Sequence, residues 1–366
     1  MTLTRRMATV AAVSAVALSL AACGTSQESA GENGNSSLQG EISGAGASSQ
    51  GKAQEAWFDT FMVQNDDVTI TYNPVGSGGG REQFIAGAVD FAGSDSPLKE
   101  GELAGAKARC LGGEALELPV YISPIAIFYN VPGFEGDKHI NMTPDVMADV
   151  FNGTITKWND ARLAALNPGG TLPDLAIVPV SRSDESGTTK NFQAYLNKVA
   201  PAQWPHKAEE TWPIQGGQSG DGTSGMVSTV AAAPGAIGYA DASRVTADLG
   251  TVAVGTDGNF TPFSAQAAAA TVDASELADD ATDLRLVYKI KRDAPDTYPI
   301  VLVSYVIACS KYEDPAVADT VAAYLRFIAS EEGQEISADP KVAGSAPISA
   351  DLRVKVEAAI AQITSE

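Results

Sequence analysis

Ser181-Arg-Ser-Asp-Glu-Ser-Gly-Thr-Thr189 stands between an apolar run, Leu175-Ala-Ile-Val-Pro-Val180, and a segment with Phe192, Tyr195, Leu196 and Val199 at helical spacing. The run reads as a buried strand and the spacing as an amphipathic helix, so the nonapeptide is a strand-to-helix turn. Ser186 is the natural N-cap. The first N–H groups of a helix have no partner inside it, and the helix dipole favours an anion beside them. Ser186, Gly187, Thr188 and Thr189 supply hydroxyl and backbone donors, and Arg182 supplies a planar charged fork suited to an oxyanion. Asp184 is spaced to brace that fork.

The same device recurs upstream. Glu41-Ile-Ser43 leads into Gly44-Ala-Gly-Ala-Ser48-Ser49-Gln-Gly-Lys52 and then a helical face of Trp57, Phe58 and Phe61. Val68-Thr-Ile-Thr-Tyr72 leads into Asn73-Pro-Val-Gly-Ser77-Gly-Gly-Gly80 and a helix over Arg81–Ala88. Three glycines let backbone N–H groups approach a ligand closely. Val89-Asp-Phe-Ala-Gly-Ser94-Asp95-Ser96-Pro97 ends a fourth strand, with a helix expected from Pro97. Here the tip carries a carboxylate, an acceptor that suits an anion only if the anion brings a proton. Near neutral pH phosphate does and sulfate does not. Gly46-x4-Gly51-Lys52 approaches a P-loop, but Ala53 stands where the magnesium-binding hydroxyl belongs.

Composition bounds the rest. The 366 residues carry a net charge of −21, with 24 Lys and Arg against 45 Asp and Glu, which argues against nucleic acid and anionic membranes as partners. An anionic ligand must then be held by local dipoles. His139 and His206 stand apart from other metal-ligating residues, so neither a metal site nor a histidine-based triad is expected. Arg5, Arg6 and the apolar run Met7–Ala22 read as an export signal, too short to span a bilayer. It ends Leu20-Ala-Ala-Cys23, which resembles the lipobox of bacterial lipoproteins, with Cys23 the lipid-modified residue. Residues 23–39 read as a polar tether of ~20 Å reach. Cys110 and Cys309, the remaining pair in an exported chain, suggest a disulfide.

Strands alternate with helices throughout, so an α/β fold with mostly parallel sheets is expected. Two long extended runs, Leu116–Asn130 and Tyr298–Ala308, read as crossings between domains. They divide the chain into a first domain of residues 40–122 plus 300–366 and a second of residues 123–299. Ala265–Asp283 reads as an exposed helix. Ligands of open α/β sheets sit at the carboxyl ends of strands, which places the four turns around one cleft.

In this order and spacing the motifs resemble the phosphate-binding protein of the high-affinity phosphate ABC importer. Gly44-Ala-Gly-Ala-Ser, Gly76-Ser-Gly-Gly-Gly, Val89–Leu98 and Arg182–Thr189 carry the resemblance, with Phe151–Asp160 and Pro234-Gly-Ala-Ile-Gly-Tyr239 as further landmarks. It covers nearly all of the chain after the tether. It implies a two-domain periplasmic-binding-protein-like (type II) fold with a hinged cleft, no cofactor and no enzymatic activity. The implied phosphate ligands are Ser48, the N–H of Ser49, Ser77, Asp95, Arg182, Ser186, Gly187 and Thr188, with Asp184 behind Arg182. The implied partners are inorganic phosphate and the permease subunits of the importer, and the implied state is a lipid-anchored monomer on the extracytoplasmic face. The family's usual Thr-Phe in the first loop is Ser48-Ser49 here. Two other readings stay open, a receptor for sulfate or molybdate and an exported phosphohydrolase. Against the latter, neither Ser186 nor Ser77 lies in a Gly-x-Ser-x-Gly elbow.

Overall fold

The computed structural model describes residues 38–136, 138–256, 258–295 and 297–365. The expected export signal, Cys23 and nearly all of the expected tether lie outside the described residues. The first half of the fold holds strands β1 (Gly40–Gly46), β2 (Val68–Asn73) and β3 (Phe91–Ser94), with helices α1 (Gly51–Gln64), α2 (Ser77–Ile85) and α3 (Glu100–Arg109). The long strand β4 (Ala115–Tyr129) follows, then β5 (His139–Met142), α4 (Pro144–Phe151) and α5 (Ala161–Leu166). Next come β6 (Val178–Arg182), α6 (Gly187–Val199), β7 (Gln218–Gly220), α7 (Gly222–Ala232) and β8 (Ala236–Asp241). After β9 (Gly250–Thr256), β10 (Asn259–Thr261), α8 (Ala265–Asp273), β11 (Glu276–Leu277) and β12 (Tyr288–Lys289), the chain returns through β13 (Val301–Cys309). It closes with β14 (Lys311–Tyr312), α9 (Pro315–Ala329), α10 (Glu331–Ala338), α11 (Ala350–Ile360) and β15 (Thr364–Ser365).

Both long extended runs are strands, and they organise the sheet. Its path runs β2-β1-β3-β13-β4-β8-β6-β7. β4 pairs with β13 as far as Pro124 and with β8 from Ile125 onward. At that change of partner the Ile125 N–H donates to the Ile300 carbonyl at 2.8 Å, so the two crossings touch. All fifteen residues of β4 are buried, which is why it reads as a continuous apolar run. Pro119 has no N–H to give to the ladder, and the register against β13 shifts beside it, between Ser304 and Tyr305. The described residues form one compact unit.

The sheet is more mixed than expected. β1 pairs in parallel with β2 and β3, as β6 does with β7 and β8, but β4 and β13 run antiparallel to each other and to β8 and β3. A chain that crosses and returns must leave antiparallel neighbours. Within each half the strands still point their carboxyl ends toward the same region.

Three local expectations are corrected. The helix after β3 starts at Glu100 rather than Pro97, with the Lys99 N–H held by Glu102 at 2.8 Å. Asp95 is therefore no helix cap. The glycines of Gly78–Gly80 lie inside the first turns of α2, not in a free loop. The alanine-rich segment is helical only over Ala265–Asp273, and it buries Ala268, Thr271 and Val272. Small side chains there permit close packing that an exposed-helix reading overlooks.

Cys110 and Cys309 form the disulfide, with Cα atoms 5.0 Å apart, and join the end of α3 to the end of β13. Both cysteines are buried. Replacing both with serine is expected to cost about 2–5 kcal/mol. Urea unfolding should place the midpoint lower in the double variant, and an unchanged midpoint would assign the link no role in stability.

Candidate functional site

Five strand ends meet at one buried cluster. β1 delivers Ser48 and Ser49, β2 leads to Ser77, β3 leads to Asp95, β6 ends at Arg182, and β7 leads to Thr223. Every one of these side chains is buried. The close approach is possible because Gly80 lies against β1, where a Cβ would sit 2.3 Å from the Gly46 Cα.

Asp95 is the acceptor of the cluster. Its Oδ1 accepts from Ser49 Oγ and from Ser304 Oγ, each at 2.6 Å, and its Oδ2 accepts from Thr188 Oγ1 at 2.8 Å. Burial pushes its carboxyl above the ordinary range, while those three hydroxyls and the Arg182 charge pull it back. Its backbone is held too. The Asp95 N–H donates to Ser77 Oγ at 3.1 Å, and Asn191 Nδ2 donates to the Asp95 carbonyl at 2.7 Å.

Arg182 is the cation. Its Nε donates to Asp184 Oδ1 at 2.6 Å, its Nη2 donates to Asp184 Oδ2, and Nη2 also reaches Ser48 Oγ at 3.0 Å. The expected brace is therefore in place. Asp184 accepts further from the Gly222 N–H at 3.1 Å, which ties Arg182 to the start of α7. Arg182 Nη1 is buried with no hydrogen-bond partner among the described residues.

Ser186 caps α6, its Oγ accepting from the Thr189 N–H at 3.2 Å. Thr189 Oγ1 is engaged with Tyr239 Oη at 2.8 Å, so it faces the core of its own half. Gly187 lies where the two halves meet: a Cβ there would stand 2.6 Å from Ser77 Oγ and 2.7 Å from the Asp95 Cβ. Lys52 points away from the cluster, its Nζ donating to the Ser243 carbonyl at 2.7 Å, which disposes of the P-loop likeness.

Two residues of the cluster escape the sequence reading. Ser304 sits inside β13, within an apolar run that offers no turn signal. Thr223 lies in a glycine-rich stretch that reads as loop up to Met226, whereas α7 begins at Gly222. Ser48 Oγ accepts from the Thr223 N–H at 3.0 Å and from Arg182, and lies 2.9 Å from Thr223 Oγ1. With both lone pairs of Ser48 engaged, its own proton goes to Thr223. The free hydroxyl donor at this corner is then Thr223.

A second polar knot lies behind the cluster. Glu210 takes both Arg81 Nη atoms at 2.7 Å, Ser96 Oγ at 2.6 Å and Lys99 Nζ at 2.8 Å. The Glu210 carbonyl accepts from the Ser186 N–H at 3.0 Å. Burial alone would raise the Glu210 carboxyl, but Arg81, Lys99 and Ser96 more than offset it and hold it at about 2. Arg81 is completely buried and also bonds Glu102 at 2.8 Å through Nε. Among the described residues no group of three or more His, Cys, Asp or Glu is placed to hold a metal ion.

The chain and its fold have counterparts. Residues 31–332 match the model of the PBP superfamily domain. The phosphate-binding protein PstS 3 of Mycobacterium tuberculosis is 35% identical over 345 residues, spanning 89% of this chain and 91% of that one. PstS 3 of Mycobacterium leprae is 36% identical over 290 residues, 78% of each chain. The chain belongs to the PstS phosphate-binding protein family of the PBP superfamily. Among solved structures, the phosphate-bound periplasmic protein PfluDING superposes with a TM-score of 0.70 at 21% identity, covering 87% of this chain and 93% of that one. That likeness is one of fold, the two-domain architecture of the superfamily. The PstS relatives are binding proteins by name, and among the described residues no helix is long and apolar enough to cross a membrane.

Glu210→Gln isolates the knot. A depressed carboxyl contributes stability that is present above the unfolded value near 4.5 and is lost as pH falls toward 2. At pH 7 the variant leaves Arg81 with only Glu102 as a carboxylate partner and should lose about 3 kcal/mol. The gap in Tm between wild type and variant should narrow between pH 4.5 and pH 2. A gap that is constant over that range would remove the charge of Glu210 from the stability of the fold.

Proposed function

We propose that this chain is an extracytoplasmic receptor that captures inorganic phosphate and delivers it to an ABC-type importer. The observation that carries the reading is the balance of free groups in the cage. Arg182 Nη1 and the first N–H groups of α6 offer donors, while Asp95 has used three of its roughly four acceptor positions on protein hydroxyls. What remains is one acceptor among many donors. A tetrahedral oxyanion carrying one proton satisfies that set, and a fully deprotonated one leaves a buried carboxylate facing an oxygen with no proton between them. An unmatched buried polar group costs about 1–3 kcal/mol, so Asp95 favours phosphate over sulfate and molybdate.

In this reading Arg182 pairs with the anion and Asp184 fixes its plane. Ser186, Gly187 and Thr188 present the α6 terminus, the Ser77 hydroxyl and the Ser49 N–H complete the opposite wall, and Ser48 acts through Thr223. Residues 40–122 plus 300–366 close against residues 123–299, bending where β4 changes partner from β13 to β8. A ligand gripped from both sides stabilises the closed state by its differential affinity. Cys23 carries the lipid anchor of a monomeric receptor.

The receptor reading is supported over a hydrolytic one by the histidines. His139 Nδ1 is bonded with Thr251 Oγ1 at 2.7 Å, and the His206 ring lies against Trp204. Neither serves a hydroxyl of the cage as base.

Calorimetric titration of the mature protein tests the reading. One-to-one phosphate binding that excess sulfate leaves untouched is expected, and Asp95→Asn should shrink the phosphate-to-sulfate preference at least tenfold, about 1.4 kcal/mol. An unchanged preference in that variant would remove Asp95 from discrimination, and absence of phosphate binding by wild type would sink the function itself.

Gly187→Ala probes closure separately. The added methyl meets Ser77 and Asp95 across the cleft, so it opposes the closed state rather than the folding of either half. Phosphate affinity should fall more than tenfold, with the circular dichroism spectrum kept. Wild-type affinity would mean that the two walls do not meet at Gly187 when the ligand is bound.

A further inference from the structure

Beside the cage, and outside it, lies a cavity of about 330 Å3 whose lining includes Asp95, Ser96, Lys190, Asn191, Lys198 and Arg292. Its wall of Asp95 and Ser96 is shared with the phosphate cluster. Lys190, Ala194 and Lys198 recur every fourth residue on α6, so they form one stripe along its face. That helix is the one whose N-terminus enters the cage.

The charge of this cavity runs against that of the molecule. The whole chain has 45 acidic residues to 24 basic ones, yet three cations gather here. Arg292 is buried, and among the described residues it has no carboxylate partner; its guanidinium donates to the Pro299 and Val301 carbonyls at 3.3 Å and to Asn191 Oδ1. Lys190 likewise makes no ion pair among the described residues, though Glu209 and Glu210 lie within its electrostatic reach. Glu210 is already matched by Arg81 and Lys99. Lys198 is exposed and approaches Asp293 at 3.4 Å. The carboxylate oxygens of Asp95 are turned to Ser49, Ser304 and Thr188. Positive charge in the cavity is therefore only partly answered by the protein.

We propose that this cavity is a second, weaker anion subsite, which gathers inorganic phosphate beside the cage and raises its rate of capture. The inference rests on the phosphate-receptor reading. A receptor with a large net negative charge repels a dianion at long range, and the cage holds its ligand by short-range hydrogen bonds that cannot reach into solvent. A cationic cavity with low-dielectric walls, one helix face from the cage, supplies the missing attraction. Local fields of this kind raise association rates by about 10- to 1,000-fold. The subsite acts on capture and not on retention, because among the described residues the side chains of Lys190 and Lys198 hydrogen-bond to no cage residue; Lys190 meets Ser186 only through the helix backbone.

The test separates the two rates. Equilibrium dialysis with radiolabelled phosphate gives Kd, a chase with unlabelled phosphate gives the dissociation rate, and their quotient gives the association rate. In the full-length mature protein, Lys190→Gln with Lys198→Gln is expected to lower the association rate about tenfold at low ionic strength. The dissociation rate should stay within about twofold, and the difference should fade in molar salt as screening shortens to ~3 Å. Lys190→Arg with Lys198→Arg should retain the wild-type rate. Equal association rates in the Gln variant, or a loss expressed through dissociation, would overturn the subsite. Failure of wild type to bind phosphate in the same dialysis would instead overturn the receptor reading beneath it.

Discussion

A buried carboxylate needs donors, and Asp95 finds them on three segments that are far apart in the chain. Ser49 lies 46 positions before it, Thr188 lies 93 after it and Ser304 lies 209 after it. Each bond draws a different part of the fold onto one point. Ser49 brings the first turn, Ser304 brings the returning strand β13, and Thr188 brings the start of α6 from the other half. An unpaired carboxylate at that depth would be costly, so the geometry of the cage and the pairing of the halves are one requirement. The glycines follow from it: Gly187 packs against Asp95 and Ser77, where a larger residue would hold the walls apart.

The electrostatics divide by distance. Within the proposed cage, the donors have positions set by the protein itself: a braced guanidinium, a capped helix terminus and hydroxyls already oriented by neighbours. Preset donors in a dry site are worth more than the same groups in water. Outside the cage the molecule is strongly acidic. The Glu210 knot answers Arg81 and Lys99 within the protein, whereas the α6 stripe and Arg292 face the cavity beside the cage. The same helix thus presents its dipole to the cage and its lysines to the cavity.

Much of this was legible from local chemistry. The Ser186 cap and the Arg182–Asp184 brace follow from neighbours in sequence, the Cys110–Cys309 link from the two cysteines being the remaining pair, and the two long strands from apolar runs of the right length, and the structure has them all. The misreadings share a cause. Pro97 looked like a helix start because nothing local announced that Lys99 and Glu102 form the true one. Gly78–Gly80 looked like loop because glycine disfavours helix in isolation, and only the packing of α2 against β1 makes side-chain-free helix turns favourable. The alanine-rich segment looked exposed because alanine carries no sign of which face is covered.

The sequence by itself determined the device: strand ends that open into capped helices, with one arginine and one aspartate among hydroxyls, on an acidic chain. These are short-range features, set by propensity, capping and hydrogen-bond chemistry within about ten residues. Only the tertiary structure decided which hydroxyls share Asp95, that Thr223 rather than Ser48 holds the free proton, that Ser304 belongs to the site and that Glu210 closes the knot behind it. Those contacts join residues more than a hundred positions apart, or cross from one half of the sheet to the other. No local pattern encodes such a meeting, because it is fixed by where β4 and β13 cross and by the burial that the crossing enforces.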